Sequence, residues 1–364
     1  MSKDLDFKLT LEDLRRFPKT DLHLHLDGSL RLETILDLAE KDNIDIGAKT
    51  KEELAKAIHM GETCQSLEEY LEAFTITLAV LQTKEALYRA AYELAEDVSK
   101  ENIKYMEVRY APILHREKGL NLTEIVEAVL HGLADGKKDF GVESGVILSG
   151  IRNISSEYSL RLAELAVAYK NFGVVGFDLA GAEANYPAKA HKEAFKLIRF
   201  NNINSTCHAG EAYGPESIHQ ALHIIGAHRI GHGTRLREDG NLLNYVNNHR
   251  IPLEVCIKSN VQTQAVKNIK THPVRFYFDF GIRITANTDN RLITDTTVTD
   301  ELYLLHTVFK FNIDEIREVI INGFKSSFMP YRKKQELLER SLRELDEMMD
   351  ELRKPKTKKA NKKK

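Results

Sequence analysis

Residues 20–29 read TDLHLHLDGS, and the alternation of histidine with leucine in this stretch is typical of a β-strand. Successive side chains of a strand point to opposite faces, so His23, His25 and Asp27 share one face and the intervening leucines share the other. The leucines suit packing against helices, which places the histidines on the inner face. Two adjacent imidazoles there have few structural uses, whereas neutral ring nitrogens are good zinc ligands. We therefore predict a metal site at the end of this strand; a pair of hydrogen-bonded core histidines is the alternative.

Seven further short apolar segments follow along the chain, and amphipathic helical patterns separate most of them. The predicted strands cover residues 20–26, 103–109, 144–150, 174–180, 203–208, 228–232, 251–257 and 281–288. Alternation of strands with helices predicts an α/β fold with a parallel sheet, and eight such units predict a (β/α)8 TIM barrel. We also predict a helical insertion over residues 31–83, after strand 1, and extra C-terminal helices over residues 298–352.

The composition indicates a globular protein, because 42% of the 364 residues are hydrophobic and 29% are charged. No linker rich in Pro, Gly or Ser divides the chain, so we predict one barrel domain over residues 1–352. Residues 353–364 hold eight basic and no acidic side chains, which predicts a disordered basic tail. Without those eight charges the formal net charge of −2 becomes −10, which argues against a nucleic-acid partner.

The cysteines and the ends of the chain favour a cytoplasmic protein. Cys64, Cys207 and Cys256 are few and form no CxxC pair, as expected in a reducing compartment. The N-terminal segment carries acidic residues and lacks the apolar centre of a secretory signal. No apolar run approaches the ~18 residues of a membrane helix, so no membrane partner is expected. The oligomeric state stays open.

Polar side chains gather where the predicted strands end, which is where a barrel of this type forms its active site. His208 ends strand 5 in CHAGE, and Glu211 follows three residues later, where it could donate a proton. His232 lies between two glycines in RIGHG, and Asp289 follows strand 8 in NTDN. A helix-terminal carboxylate and a hydrogen-bonded core histidine are the structural alternatives for Glu211 and His232.

An oxygen from Asp289 would complete a His3Asp metal site with an open position for water, whose pKa zinc lowers towards ~7. Strand 4 ends in FDLAGAE and offers no lysine to bridge two metals, which favours one Zn2+. The HExxH, GxSxG, P-loop and HxE…PCxxC motifs of other enzyme classes are absent from the sequence.

The motifs HLHLDG, DLAG, HAGE, GHG, SN and TD, in this order over about residues 15–330, resemble the adenosine deaminase family of the amidohydrolase superfamily. The resemblance implies zinc ligation and catalysis by the residues already described. The implied zinc ligands are His23, His25, His208 and Asp289. Glu211 would protonate purine N1, while His232, with Asp289, would hold the attacking hydroxide. Gly181 would donate its backbone N–H to purine N3, Asp27 would bind the ribose hydroxyl, and His25 would also contact the substrate.

Two further sets of substrate contacts follow from the resemblance. Many members carry a second aspartate, which contacts purine N7, where this chain has Asn290; an amide can donate to N7 at any pH. Leu67, Tyr70, Leu71 and Phe74 are spaced as one face of a helix that caps the pocket in the family. Ordinary core packing is an equal alternative for these four residues.

The resemblance implies hydrolytic deamination of adenosine, and of 2′-deoxyadenosine, to inosine and ammonia by a zinc-activated hydroxide in purine salvage. The implied partner is thus a small purine nucleoside. Adenine deaminases of the superfamily typically carry Glu where this chain has Asp27, which favours a nucleoside. The alternatives are a deaminase of adenine, N6-methyl-AMP or aminofutalosine on the same site, and a non-catalytic barrel that binds ligands.

Overall fold

Eight parallel strands form the centre of the protein in a computed structural model that describes residues 8–59 and 64–354. The strands are β1 (Lys19–His25), β2 (Ile103–Tyr110), β3 (Glu143–Ile151), β4 (Val174–Ala180), β5 (Asn204–Ala209), β6 (Arg229–His232), β7 (Leu253–Val255) and β8 (Ile284–Ala286). Each strand pairs with the next one along the chain, so all carboxyl ends lie at the same end of the sheet.

The sheet curls until its last strand meets its first. A parallel bridge joins Leu24 to Asp289, just beyond β8. The Asp289 N–H donates to the His23 carbonyl and the His25 N–H donates to the Asp289 carbonyl, each at 2.8 Å. The sheet therefore forms a nearly closed barrel, and the predicted (β/α)8 TIM architecture is confirmed.

Helices connect the strands and cover the outside of the barrel. They are α1 (Leu11–Arg16), α2 (Leu32–Lys41), α3 (Lys51–Ile58), α4 (Leu67–Glu72), α5 (Phe74–Val80), α6 (Lys84–Ser99), α7 (Leu122–Phe140), α8 (Ser156–Tyr169), α9 (Lys192–Phe200), α10 (Pro215–His223), α11 (Gly240–Asn248), α12 (Ile257–Gln262), α13 (Val274–Phe280), α14 (Val298–Thr307), α15 (Ile313–Ser326) and α16 (Tyr331–Arg353). Helices α2 to α5 form the predicted insertion after β1, and α14 to α16 are the predicted C-terminal helices.

Local sequence explains where individual helices begin and end. Helix α7 begins with a capping box, in which the Asn121 side chain accepts the Glu124 N–H and the Glu124 side chain accepts the Asn121 N–H. It ends at Gly141, whose φ of 75° is the left-handed conformation that glycine adopts without a steric penalty. The nineteen-residue span thus has signals at both ends.

The two faces of β1 are divided as its alternation predicts. Leu22, Leu24 and Leu26 belong to the hydrophobic core, and α15 packs against β1 and β8. The His23 side chain instead reaches Glu254 of β7 across the inside of the barrel. The barrel interior is therefore charged and hydrogen-bonded at this level, while its outer surface is apolar.

The last strands are shorter than predicted. The apolar run at 251–257 continues past β7 because Ile257 is buried as the first residue of α12. The polar residues after Ala286 leave the strand and enter the mouth of the barrel. An apolar run therefore predicts here which residues are buried, but it does not predict where the strand ends.

The predicted cap helix is interrupted. Helix α4 ends at Glu72 and α5 begins at Phe74. Between them the Ala73 N–H donates to the Tyr70 carbonyl, three residues back, which is a tighter turn than an α-helix makes. Phe74 therefore begins a second short helix after a one-residue turn at Ala73, whose φ of −59° and ψ of −28° stay helical.

Helix α16 continues to Arg353, so the predicted basic tail begins one residue inside a helix. Residues 355–364, which carry most of that tail, lie outside the described residues. The division into one domain and a tail stays a prediction. Of the helices in residues 8–59 and 64–354, none combines the length and the apolar character needed to cross a bilayer.

The seam between β8 and β1 depends on Asn287, a fully buried side chain. Its Oδ1 accepts the Leu22 N–H at 3.0 Å. In Asn287→Ala that buried N–H has no acceptor, so we expect the free energy of unfolding to fall by about 1–3 kcal/mol. Equilibrium urea unfolding measures this loss. The control Asn248→Ala, at an exposed position of α11, should stay within about 0.5 kcal/mol; equal effects of both changes would contradict the role of Asn287.

Candidate active site

Side chains that could bind a metal ion converge at the carboxyl ends of four strands. Ligand atoms of His23, His208, His232 and Asp289 all lie within 4.8 Å of one another, and all four residues are buried. His25 belongs to the same group, because its Nε2 lies 3.2 Å from His208 Nε2 and 3.4 Å from Asp289 Oδ1. The structure therefore brings together the four predicted ligands and places His232 equally close to them.

The chemistry of this group fits a divalent metal ion. His23 Nε2 is buried without a hydrogen-bond partner and lies 3.4 Å from Asp289 Oδ1. An unpaired buried ring nitrogen is unfavourable unless it has a ligand to bind. Several imidazole nitrogens with one carboxylate oxygen form a donor set that suits zinc and related ions. The cluster could hold one such ion.

Buried carboxylates orient two of the imidazoles. His23 Nδ1 lies 2.8 Å from Glu254 Oε2, and His208 Nδ1 lies 3.1 Å from Asp178 Oδ2. An ionised carboxylate only accepts hydrogen bonds, so each Nδ1 carries the proton and each Nε2 presents a lone pair to the centre of the cluster. Asp289 is held by Ser259, whose hydroxyl donates to Oδ2 at 2.6 Å.

Two arginines compensate the buried carboxylates. Arg109 donates to Glu254 at 2.9 Å and lies 3.5 Å from Asp178, while Arg229 donates to Glu254 at 2.6 Å. Burial raises the pKa of Glu254, but the charges of Arg109 and Arg229 outweigh burial and hold that pKa well below its usual range. Arg109 thus supports the inside of the barrel through its contacts with these two carboxylates.

Glu211 is the carboxyl group best suited to donate a proton. Thr263 donates to its Oε1 at 2.9 Å, and its Oε2 lies 3.4 Å from His232 Nε2. Burial and the negative charge of Asp289 raise the pKa of Glu211 to about 8. Glu211 is therefore mostly protonated at neutral pH, which is the state a general acid requires.

The turn that carries Glu211 is organised by Glu183, a buried residue that the sequence analysis missed. Its carboxylate accepts the backbone N–H groups of Gly210, Glu211, Ala212 and Tyr213 at 2.7, 2.9, 2.6 and 3.1 Å. Charge-assisted bonds of this kind hold a turn firmly. In the sequence Glu183 is one of many acidic loop residues, and no local signal marks it.

Two site residues adopt a backbone conformation that is rare outside glycine. His232 has φ 65° and Asp289 has φ 62°, and left-handed non-glycine residues of this kind concentrate at functional sites. The glycines beside His232 also have a steric role. A Cβ on Gly231 would lie 3.0 Å from His23 Cε1, so this glycine allows the ligand ring to approach.

A cavity of about 210 Å3 opens beside the cluster. Its lining includes His25, Asp27, Leu71, Phe74, Tyr110 and Gly181. Asp27 Oδ1 is buried without a hydrogen-bond partner, and burial raises the pKa of Asp27 to about 7. Asp27 therefore presents an unused acceptor at the edge of the cavity, and its contact with a substrate stays a prediction.

The remaining cap residues occupy different surroundings. Leu67 lines a neighbouring cavity that also touches Glu211. Tyr70 is buried, and its hydroxyl lies 2.7 Å from Thr294 Oγ1 and 2.8 Å from Asn290 Nδ2. Asn290 therefore uses its amide to hold the cap, and its predicted contact with a purine stays a prediction.

Comparison with known proteins identifies a family. The model of the adenosine deaminase family matches residues 18–343. An adenosine deaminase of Clostridium acetobutylicum is 44% identical over 90% of this chain and 98% of its own length. The crystal structure of an adenine deaminase from Arthrobacter aurescens superposes with a TM-score of 0.84 at 27% identity, over 92% of this chain and 99% of that one. The crystal structure of an Arabidopsis N6-methyl-AMP deaminase superposes with a TM-score of 0.81 at 25% identity, over 91% of this chain and 99% of that one.

Gly231→Ala tests whether the glycine beside His232 serves the metal site. The new methyl group would press on His23, whose ring Glu254 already fixes, so we expect metal affinity to fall by about 10–100-fold. Metal content after dialysis against a graded chelator series measures the loss. Gly240→Ala is the matched control, because a Cβ there meets nothing within 4 Å. Unchanged affinity in Gly231→Ala would show that the close approach is unimportant.

Proposed function

Because this chain belongs to the adenosine deaminase family, we propose that it hydrolyses adenosine and 2′-deoxyadenosine to the inosine nucleosides and ammonia, a step of purine salvage. One observation carries the proposal. Glu211, a buried carboxyl whose pKa is raised to about 8, lies beside His232 and the metal-ligating cluster. A proton donor next to a metal site is the arrangement that hydrolytic deamination requires.

We assign one Zn2+ to His23, His25, His208 and Asp289. When bound, zinc supplies a Lewis acid that lowers the pKa of water towards ~7 and so makes hydroxide available at neutral pH. The unpaired Nε2 of His23 and the Nε2 contact between His25 and His208 support this ligand set. His232 is kept for a different role.

Glu211 acts on the purine ring. In its protonated form it donates to N1, which withdraws electrons from C6 and makes that carbon a better electrophile. His232 and Asp289 hold the attacking hydroxide against C6 and stabilise its charge. Addition gives a tetrahedral carbon that carries OH and NH2. The added hydroxyl group gives its proton to the NH2 as the C6–N bond breaks, so ammonia leaves, C6 becomes a carbonyl, and N1 keeps the proton from Glu211. Proton transfer by a positioned side chain contributes roughly 10²–10⁴-fold to such a reaction.

The cavity favours an uncharged nucleoside. Asp27 would accept a hydrogen bond from a ribose hydroxyl, and the Gly181 N–H would donate to purine N3. Among the described residues that line this cavity none is Lys or Arg, so a nucleotide phosphate held inside it would have no cation to pair with. This observation favours adenosine over N6-methyl-AMP.

The cap completes the pocket. Phe74 lines the cavity, Leu67 lines the neighbouring one, and Tyr70 links the cap to Asn290. Asn290 would lie near purine N7. A cap of this kind excludes water, which strengthens the electrostatic interactions inside the site.

Adenine is the second candidate, because an adenine deaminase structure superposes over most of the chain. Asp27 discriminates between the two, since a free base has no ribose for it to bind. We expect no nucleic-acid or membrane partner. The free, buried Cys64, Cys207 and Cys256 support a location in the reducing cytoplasm.

Glu211→Gln tests the acid. Glutamine keeps the size of the side chain but cannot transfer a proton to N1, so we expect kcat for adenosine to fall by about 10²–10⁴-fold while the metal content is unchanged. The fall in absorbance of the adenosine band measures the rate. Glu216→Gln, at an exposed position of α10, is the control and should retain full activity. A near wild-type rate in Glu211→Gln would remove Glu211 from the mechanism.

Asp27→Ala tests the nucleoside assignment. Loss of a hydrogen bond to a carboxyl that is only partly ionised is worth about 0.5–3 kcal/mol, so we expect kcat/KM for adenosine to fall by about 2–150-fold. Inhibition by inosine should weaken to a similar degree, whereas inhibition by the free base hypoxanthine should stay constant. Asp37→Ala, exposed on α2, is the control. Equal losses for base and nucleoside would argue against a ribose contact.

A further inference from the structure

A row of hydrogen bonds leads from the backbone of Val274 to the active site through three buried side chains. His272 precedes α13, Asn260 lies in α12 and His232 ends β6. Their exposed fractions are 5%, 0% and 1%. None of the roles described so far uses His272 or Asn260, yet both are polar groups removed from water at some expense.

The direction of the row is set at its first bond. The Val274 N–H, which can only donate, lies 3.1 Å from His272 Nδ1. His272 Nδ1 is therefore an acceptor. Burial and the nearby charge of Arg237 lower the pKa of His272 to about 3, so its ring is neutral and its single proton lies on Nε2.

The donor and the acceptor of the next two hydrogen bonds, up to His232, follow from this first assignment. His272 Nε2 lies 3.2 Å from Asn260 Oδ1, so the N–H donates and the amide oxygen must face His272. The amide nitrogen of Asn260 then faces His232 Nδ1 at 2.9 Å and donates to it. With Nδ1 as an acceptor, a neutral His232 carries its proton on Nε2.

The Nδ1 atom of His232 therefore accepts a hydrogen bond, whereas the Nδ1 atoms of His23 and His208 donate one. Carboxylates accept from Nδ1 of His23 and His208, which leaves Nε2 of those rings free to bind a metal. The Asn260 amide donates to Nδ1 of His232, which leaves Nε2–H. A protonated ring nitrogen cannot bind a metal, but it can donate a hydrogen bond to an oxygen that develops negative charge.

We propose that His272 and Asn260 are positioning residues that hold His232 in the tautomer with its proton on Nε2. As a result His232 presents a hydrogen-bond donor to the centre of the cluster. The other imidazoles present unprotonated nitrogens that can bind a metal. The consequence for catalysis rests on the proposed function, but the tautomer itself does not.

The direct test is nuclear magnetic resonance of the metal-loaded enzyme labelled with 15N-histidine. Ring 15N shifts and couplings distinguish a protonated from an unprotonated nitrogen, and the spectrum of His232→Gln assigns the His232 signals. We expect the proton of His232 on Nε2 in the wild type. A proton on Nδ1, or metal ligation by His232, would overturn the proposal.

Asn260→Asp reverses the last bond while keeping the shape of the side chain. A carboxylate oxygen would face His232 Nδ1 and accept from it, so the proton should move from Nε2 to Nδ1. We expect kcat for adenosine to fall by about 10²–10⁴-fold with little change in KM, because the donor acts on charge that develops during the reaction. An unchanged His232 spectrum in this variant would contradict the inference.

A pair of variants at His272 keeps the test decisive if Asn260→Asp does not fold. His272→Gln retains an N–H donor for Asn260 Oδ1 and should preserve both the His232 tautomer and most of kcat. His272→Leu removes the donor, which frees the Asn260 amide to rotate, and should populate the second tautomer and lower kcat. Equal spectra and equal rates in the two variants would exclude His272 from the row.

The two proposals fail in different ways. An enzyme without activity on any purine, but with His232 protonated on Nε2 and reversed in Asn260→Asp, would refute the proposed function and leave the positioning role intact. An active adenosine deaminase whose His232 tautomer responds neither to Asn260→Asp nor to the change from His272→Gln to His272→Leu would refute the positioning role alone.

Discussion

The parallel bridge between Leu24 and Asp289 joins the last strand of the barrel to the first, and the active site depends on it. The backbone of Asp289 holds the backbone of His23 and His25 through two hydrogen bonds of 2.8 Å. The side chain of the same residue enters the cluster of imidazoles. Closing the barrel and assembling the ligands are therefore one event, and the left-handed conformation of Asp289 is maintained by the bonds that close the sheet.

The interior of the barrel is unusual in carrying charge where a core is ordinarily apolar. Glu254 and Asp178 are fully buried, and each stays ionised because arginine and imidazole groups donate to it. A buried ion pair adds little to stability, and losing one partner is severe because the other charge stays uncompensated. What the arrangement supplies is orientation. The carboxylates fix ring nitrogens of His23 and His208, and the row from His272 fixes His232 with the opposite polarity.

The features that the sequence predicted depend on residues close together in the chain. The features that it did not predict depend on contacts between separate segments. Strands β1 to β5 were predicted to within a residue or two, because each is a local apolar run between helical patterns. The ends of β7 and β8 were misplaced, since burial continues into α12 and into the barrel mouth. Glu183 and His272 were missed because no pattern in the neighbouring sequence predicts the contacts of an acidic loop residue or of a histidine before a proline. Their partners, the turn at Glu211 and the amide of Asn260, lie 28 and 12 residues away in the chain and are reached only through folding.

The sequence by itself determined the barrel, the face on which His23 and His25 lie, and the set of residues that could ligate a metal, because alternation and strand order are local properties. Tertiary structure decided which of these groups could do which chemistry. The pKa of Glu211 depends on burial and on Asp289, and the polarity of His232 depends on Asn260. The cap is likewise divided at Ala73, where the backbone N–H faces the carbonyls of Tyr70 and Leu71 in a tight turn. The sequence gives the identity of each side chain. Its protonation state and the direction of its hydrogen bonds are set by neighbours that only folding brings into contact.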